Sequence, residues 1–192
     1  MYYGKIFIVS MIAIAIVLFM TGCWTLSVHP LYFEKDLVFD PALIGVWGEK
    51  ETGDGSGDIW TFMKSDEKSY RLLIREEDGE EGFFEAHLVK IDKFLFLDLY
   101  PEEPEGVNDF YMSHVIPAHS FMRVSLEGHV LRFAILDSQW LEESIQQKKV
   151  LIKHEIRDDV IVLTASTAQL QEFVMTYVET AFPFKEDVLY RK

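Results

Sequence analysis

Apolar and polar residues alternate in short runs along most of the chain after residue 58. Alternation with a period of two predicts a β-strand with one buried face, because successive side chains of a strand point to opposite faces. After Gly45-Val46-Trp47, the predicted strands lie at 59–64, 70–75, 83–91, 94–99, 115–126, 129–136, 150–156 and 160–165. Of these, 94–99 is apolar on both faces, so we expect it to be covered on both sides. Turn-forming residues such as Glu127-Gly128 separate many of them, which is typical of hairpins. About eight or nine such strands predict a mainly β fold, an antiparallel meander that forms a closed or nearly closed barrel.

Two segments late in the chain have helical spacing instead. The first, 138–149, begins at a serine cap and carries Trp140, Leu141 and Ile145 on one side. The second begins with the capping box Ser166-Thr167-Ala168-Gln169, in which serine and glutamine satisfy each other's backbone amides. Its apolar stripe consists of Leu170, Phe173, Val174, Tyr177, Val178 and Ala181. We expect this helix to pack against the sheet and to join the same core as Trp47.

The N-terminus has the organisation of a secretory signal. One lysine, Lys5, precedes an uncharged apolar stretch of about 15 residues, which is short of the roughly 20 that span a bilayer as a helix. Small residues, Thr21 and Gly22, then lead to Cys23, the only cysteine in the chain. A cleaved signal is therefore the favoured interpretation, and an uncleaved membrane anchor is the alternative.

The tetrad Met20-Thr21-Gly22-Cys23 resembles a bacterial lipobox, with methionine where leucine is usual. The resemblance implies cleavage before Cys23 and attachment of fatty acyl chains such as palmitate to that residue. It also implies an exported protein held on a membrane by its lipid, and Trp24 favours the outer membrane if the host has one. We therefore divide the chain into a signal peptide (1–22), a lipid-anchored tether (23–39) and a single β-rich domain (40–192).

The charge limits the possible partners. The full chain carries 18 basic and 32 acidic residues; loss of the signal removes Lys5 and leaves 17 against 32, a net charge of −15. Such a charge argues against nucleic acid or an anionic lipid face as a direct partner. The excess lies between residues 34 and 109, with 21 acids and 8 bases, which indicates a solvated face or, alternatively, a surface for a cationic partner.

The start of the domain carries a second resemblance. Asp40-Pro41 is typical of a capped single turn, and Gly45-Val46-Trp47 follows it directly. A short turn leading into Gly-x-Trp resembles the first conserved region of the lipocalins, a family of calycin β-barrels; no second motif and no arginine of the third is identified. The resemblance implies that Gly45 and Trp47 close one end of a barrel. Side chains expected to line its interior are Trp47, Trp60, Phe62, Phe84 and Phe96, and they either enclose an apolar guest or fill the barrel themselves.

Candidates for chemistry are few. The six histidines lack the tight spacing of zinc ligands, so we expect no metal site and no cofactor; His114 and His119 are the closest pair worth checking. Asp98 lies within the apolar run 94–99, where a carboxylate must be hydrogen-bonded, paired or protonated. We interpret it as a strand-end aspartate that reaches solvent or caps the turn at Tyr100-Pro101. A perturbed acid at a barrel mouth is the functional alternative.

The sequence thus predicts a lipid-anchored envelope protein that acts by binding a small apolar molecule or another envelope protein, with no evident catalytic residue. An envelope hydrolase that uses Asp98 and His119 and a purely structural component are the alternatives. An apolar cavity of at least a few hundred cubic ångströms would favour the carrier. A cleft with a converging carboxylate and histidine would favour the enzyme.

Overall fold

The computed structural model describes residues 25–51, 57–158, 160–185 and 187–192. In chain order its strands are β1 (Thr25–Ser27), β2 (Leu37–Val38), β3 (Gly45–Gly48), β4 (Ile59–Lys64), β5 (Tyr70–Arg75), β6 (Glu81–Ile91), β7 (Phe94–Pro101), β8 (Ser120–Glu127), β9 (Val130–Ile135), β10 (His154–Arg157), β11 (Val160–Leu163) and β12 (Val188–Arg191). Its helices are α1 (Asp109–Met112), α2 (Ser138–Gln146) and α3 (Thr167–Ala181).

Eight antiparallel strands form the predicted barrel, which is closed. Strands β3 to β9 follow one another in a meander, and β12 pairs with both β9 and β3 to complete the circle. The short β2 adds to β6 at Leu88 and Val89. We call the end at which β3 begins the lower end and the opposite end, at which β7 leaves the barrel, the upper end.

The closing strand was not predicted, and one predicted hairpin lies elsewhere. The run at 150–165 does form a hairpin, β10–β11, but it pairs with β1 in a separate three-stranded sheet outside the barrel. Strand β12 has the place in the barrel instead. Alternation reports that one face of a strand is buried, but it does not identify the sheet to which the strand belongs.

Both late helices are present. Helix α3 follows Ser166, whose backbone N–H donates to Oε1 of Gln169 at 3.1 Å, one half of the predicted capping box. Helix α2 is capped one residue earlier than expected, because Oδ1 of Asp137 accepts a hydrogen bond from the backbone N–H of Trp140 at 2.9 Å. The four-residue α1 was not predicted. No helix within the described ranges is long and apolar enough to cross a membrane.

Two separate hydrophobic clusters hold the molecule together. The inner cluster fills the barrel and is built from Leu43, Trp47, Trp60, Phe62, Tyr70, Leu72, Ala86, Leu88, Leu97, Leu99, Met122, Val124, Leu131 and Leu189. The outer cluster lies between the barrel wall and the layer of α2, α3 and β11. Its barrel-wall members include Val89, Phe96 and Phe121, which alternate with inner residues along their strands. Strand β7 is therefore covered on both faces, as its composition predicted.

Two expectations about the core are wrong for the same reason. The stripe of α3 is buried as predicted, but Leu170, Phe173 and Val174 belong to the outer cluster and not to the core of Trp47. Phe96, expected inside the barrel, also faces the outer cluster. Phe84, by contrast, packs on the inner cluster as expected. A barrel closed by β12 needs no helix to cover it, so the helix covers the outside of the wall.

The segment expected to be a tether is folded from Thr25 onward. We call residues 25–38 the N-terminal strap. Its β1 runs parallel to β11, its β2 pairs with β6, and Leu31 between them is fully buried in the outer cluster. Helix α3 also holds the strap, since Thr167 Oγ1 donates to the Pro30 carbonyl at 2.9 Å and Gln171 Nε2 donates to the Leu31 carbonyl at 2.9 Å.

Candidate functional site

The lower end of the barrel is closed by a lock around Trp47. The expected turn is present at Pro41–Leu43, where Oδ1 of Asp40 accepts from the Ala42 amide at 2.9 Å. The indole of Trp47 is fully buried, and its Nε1 donates to the Leu43 carbonyl at 2.8 Å. Trp47 thus joins the first barrel strand to the turn that precedes it.

Arg191, at the end of β12, completes this lock. Its guanidinium lies 4.9 Å from the centre of the Trp47 ring and donates to the carbonyls of Ala42 and Ile44, the latter at 2.9 Å. A Cβ atom at Gly45 would lie 3.1 Å from Nη1 of Arg191, and Gly45 has a φ of 136°, which favours glycine. The sequence did not indicate this arginine, because it meets Trp47 only when β12 closes the barrel.

Asp98 is buried on the outer face of β7 and is fully paired. It is 1% exposed; its Oδ1 lies 2.7 Å from Nδ1 of His119 and its Oδ2 accepts from the Leu31 amide at 2.8 Å. The interpretation as a solvated or turn-capping aspartate is therefore wrong. Because the carboxylate accepts at both oxygens, its desolvation is compensated. The two residues that the sequence analysis singled out, Asp98 and His119, do come together.

His119 connects this pair to the strap as well. Its backbone exchanges two hydrogen bonds of 2.8 Å with Ser27, and its ring packs on Tyr100 at 4.6 Å between centroids. With Nδ1 donating to Asp98, the neutral ring leaves Nε2 as the acceptor. Among the described residues no serine, threonine or cysteine side chain hydrogen-bonds to this imidazole. The pair can therefore position the strap, and it lacks the nucleophile of a triad within the described chain.

A second histidine lies beside the pair on the same wall. His87 is the register partner of Asp98 on β6, and Tyr32 of the strap packs on its ring at 4.6 Å. Nδ1 of His87 is buried without a hydrogen-bond partner in the described structure. Burial, and then the nearby charges of Asp98, Glu85 and Glu34, raises the pKa of Tyr32 to about 12. These side chains form a polar layer under the strap.

The other histidine of the expected pair lies apart. His114 is exposed, and its Nδ1 lies 2.7 Å from the Phe110 carbonyl. Within the described residues no group of three or more His, Cys, Asp or Glu side chains converges as metal ligands do.

The barrel interior is filled by its own side chains. Trp47, Tyr70 and Leu72 have no exposed surface, and Phe62, Leu97 and Leu131 have almost none. A side chain that lined a void large enough for a guest would keep free surface toward that void. This part of the interior is therefore a packed core, as is usual for barrels of eight strands.

A cleft opens at the upper end instead. It has a volume of about 780 Å³ and lies between the start of β6 and the segment 101–105. Phe83 is in its wall, under the guanidinium of Arg71 at 4.3 Å from the ring centre. Glu102 pairs with Arg71 through two bonds of 2.8 and 2.9 Å, and this pairing lowers the pKa of Glu102. Glu103 and Glu105 also line the cleft, which makes it acidic.

The β7–β8 connection, whose first residues line this cleft, also carries exposed apolar side chains. Phe110 and Tyr111 on α1 are 79% and 60% exposed, and Ile116 is 82% exposed. Exposed aromatic groups on a loop held by a rigid scaffold are typical of binding surfaces. The sequence signal for this surface was the proline-rich acidic break at 101–109 followed by aromatic residues.

Comparison with family models, with curated proteins and with solved structures finds no match to this chain. The functional argument therefore depends on the geometry described above. Cys23 lies outside the described residues.

Proposed function

We propose that this chain is an exported, lipid-anchored envelope protein of lipocalin-like type that acts by binding, and that it binds a partner protein through the upper end of its barrel. One observation carries the choice of partner: the interior is packed, while the cleft and its aromatic loop lie open at the upper end. The packed part of the interior leaves no space for a guest molecule, which supports a partner protein over a small apolar ligand.

The lower end supports the lipocalin-like assignment. A capped turn leads into Gly45 and Trp47, and an arginine from the last strand packs on the tryptophan. The resemblance stated from the sequence covered only the turn and the Gly-x-Trp. The packing of Arg191 on Trp47 supports the placement of Trp47 at a closed end of the barrel.

The upper end has the chemistry for a partner that is basic and apolar. Arg71 and Arg75 are already paired with Glu102 and Glu81, so the rim contributed by Glu103 and Glu105 is negative. Exposed Phe110, Tyr111 and Ile116 supply apolar contact area on the same β7–β8 connection. Negative charge beside aromatic side chains suits a surface rich in lysine or arginine.

Photo-crosslinking in cells tests this surface. A photoreactive amino acid at Tyr111 is expected to give a discrete adduct with one partner protein, whereas the same group at the exposed Glu67, at the lower end, gives none. Reversing the charges with Glu103→Lys and Glu105→Lys is expected to reduce the Tyr111 adduct several-fold. Equal amounts of adduct from Tyr111 and Glu67 would show that the upper end is not the binding surface. An unchanged Tyr111 adduct after the charge reversal would show the same.

Lipidation of Cys23 is tested separately. Labelling with a palmitate analogue is expected to mark the parent chain and Met20→Leu, which restores the usual lipobox residue. Cys23→Ala is expected to remain an unlabelled full-length precursor. Unchanged labelling of Cys23→Ala would exclude the lipoprotein assignment.

The hydrolase remains a second candidate, favoured only by the Asp98–His119 pair. Because Asp98 fixes the Nδ1 tautomer, Nε2 of His119 is available to accept a proton from water. A panel of ester and amide substrates, assayed with the parent and with His119→Gln, tests it. Turnover that disappears in His119→Gln while the fold is kept would support the enzyme, and equal rates in both proteins would exclude it.

A further inference from the structure

The outer edge of β10 is unpaired in the described structure. The three-stranded sheet has the order β1–β11–β10, so β10 contacts β11 on one side only. Ile156 on this edge is 54% exposed, although its register partner Ile161 on β11 is fully buried. Both side chains are on the same face of the sheet, so Ile156 marks the point where the covered face of the sheet meets solvent.

The backbone groups available on this edge are fixed by the ladder with β11. The Thr164 amide donates to the Lys153 carbonyl at 2.9 Å, which makes 153 and 164 a hydrogen-bonded pair. Hydrogen-bonded pairs alternate with non-hydrogen-bonded pairs along an antiparallel ladder, so the backbone groups of Glu155 and Arg157 also bond to β11. The N–H and C=O groups of His154 and Ile156 therefore point outward and are free to bind another strand.

The charges along β10 match a second copy of the same strand. The sequence reads Glu155-Ile156-Arg157, with opposite charges on the two sides of the isoleucine. We propose that two copies of this chain associate through β10 edges, antiparallel, about a two-fold axis at Ile156. In that register each Ile156 exchanges both backbone hydrogen bonds with its counterpart, and each Glu155 lies opposite an Arg157 of the other copy. The contact also covers the exposed part of both Ile156 side chains.

Other registers are disfavoured by charge or by burial. A shift that pairs His154 with Ile156 places Glu155 opposite Glu155 and Lys153 opposite Arg157, two sets of like charges. A two-fold axis at His154 requires Ile152 on the outer edge, but Ile152 is buried in the outer cluster. Charged residues on an edge strand usually prevent pairing. Here the alternating signs prevent these registers and favour the one centred on Ile156.

Disulfide trapping in the full chain tests the register. In a hydrogen-bonded antiparallel pair the two Cα atoms are about 5.5 Å apart, which a disulfide bridges without strain. Mild oxidation of Ile156→Cys in membranes is therefore expected to give a covalent dimer at least ten times faster than Leu151→Cys. Leu151 is the matched control, because it is 90% exposed and lies three residues before β10. The parent, with Cys23 alone, gives the background.

Charge exchange separates a specific dimer from random collision. Glu155→Arg and Arg157→Glu, each added to Ile156→Cys, turn two attractive cross-strand pairs into two repulsive ones and are expected to slow dimer formation about tenfold. The double exchange, Glu155→Arg with Arg157→Glu, restores opposite charges and the parental rate. Circular dichroism controls for folding of each variant. Equal rates for Ile156→Cys and Leu151→Cys, or no recovery in the double exchange, would overturn the proposal.

Discussion

At the scale of single residues, the closure of the barrel depends on Arg191. Its guanidinium donates hydrogen bonds to the carbonyls of Ala42 and Ile44 and also packs on the face of the Trp47 ring. One side chain of the last barrel strand is therefore connected to the first barrel strand and to the turn before it. Ammonium and guanidinium groups differ here, because a planar fork reaches two carbonyls and stacks on a ring while an ammonium is a point charge.

We expect Arg191→Lys to lower the free energy of unfolding by about 1–3 kcal/mol, since it loses charge-assisted hydrogen bonds to the Ala42 and Ile44 carbonyls. Arg75→Lys is the control: Arg75 is an exposed arginine that pairs with Glu81, and its change is expected to cost about 0.5 kcal/mol or less. Urea melts of the two variants and the parent measure the difference. Equal costs for the two substitutions would mean that the lock contributes no more than a surface pair.

Two tyrosines, the half-buried Tyr32 and the buried Tyr70, predict a loss of stability at alkaline pH. Burial raises the pKa of Tyr32 and of Tyr70 from 10.0 to about 12, so the neutral phenol is favoured in the fold. Their contribution is complete below pH 10 and is lost as the pH rises toward 12, because the unfolded chain releases these protons first. Tyr70→Phe is expected to reduce the fall in stability between pH 10 and 12 by about half. Tyr111→Phe, at an exposed tyrosine, should leave the slope unchanged.

The residue scale also marks the limit of prediction from sequence. From its apolar neighbours alone, Asp98 had to be hydrogen-bonded, paired or protonated, and the preferred interpretation, a strand-end aspartate that reaches solvent or caps a turn, was wrong. Its partners could not be predicted, because His119 is 21 residues away and Leu31 is 67 residues away. Local pattern determines that a buried charge needs a partner, but the fold determines which residue is close enough.

At the scale of elements, periodic patterns predicted the long strands and α3, in which one face packs on a core. They missed β1, β2 and β12, which have two to four residues each and too few positions for a period. The periodic patterns also failed to predict where two of the elements lie in the fold. Both α3 and the β10–β11 hairpin were predicted correctly as elements, yet they cover the outside of the barrel.

Helix α3 is expected to stabilise the outer layer more than the barrel. Leu170→Ala removes a fully buried side chain from the outer cluster and should cost about 2–5 kcal/mol, with Thr180→Ala on the exposed face as the control. Hydrogen exchange should show faster opening of the strap and β11 than of β4 and β5. Deleting the chain from Ser166 onward would not separate the two layers, because it removes both α3 and β12, the strand that closes the barrel. Uniform acceleration across the barrel strands would mean that the two clusters unfold as one unit.

At the scale of the whole molecule, the connections divide the barrel into two ends with different roles. The lower end has the short connections 65–69, 92–93 and 128–129, while the upper end has 49–58, 76–80, 102–119 and 136–187. Short loops and the Trp47 lock suit a structural end. Long insertions on a rigid scaffold supply binding surface, and the cleft and the exposed α1 both belong to them.

The packed interior gives the last prediction. Leu72 is fully buried in the inner cluster opposite Phe62 and Phe84, so Leu72→Ala opens an apolar space inside the barrel. Cavities of about 150 Å³ with such walls bind benzene, and a ligand that binds only the folded state raises the melting temperature. Benzene is therefore expected to stabilise Leu72→Ala but neither the parent nor Leu151→Ala, whose substitution is at the surface. If benzene stabilises the parent as strongly as Leu72→Ala, the barrel already holds space for a guest. Binding of a small apolar molecule, one of the two binding functions that the sequence predicted, would then be favoured over a partner protein at the upper end.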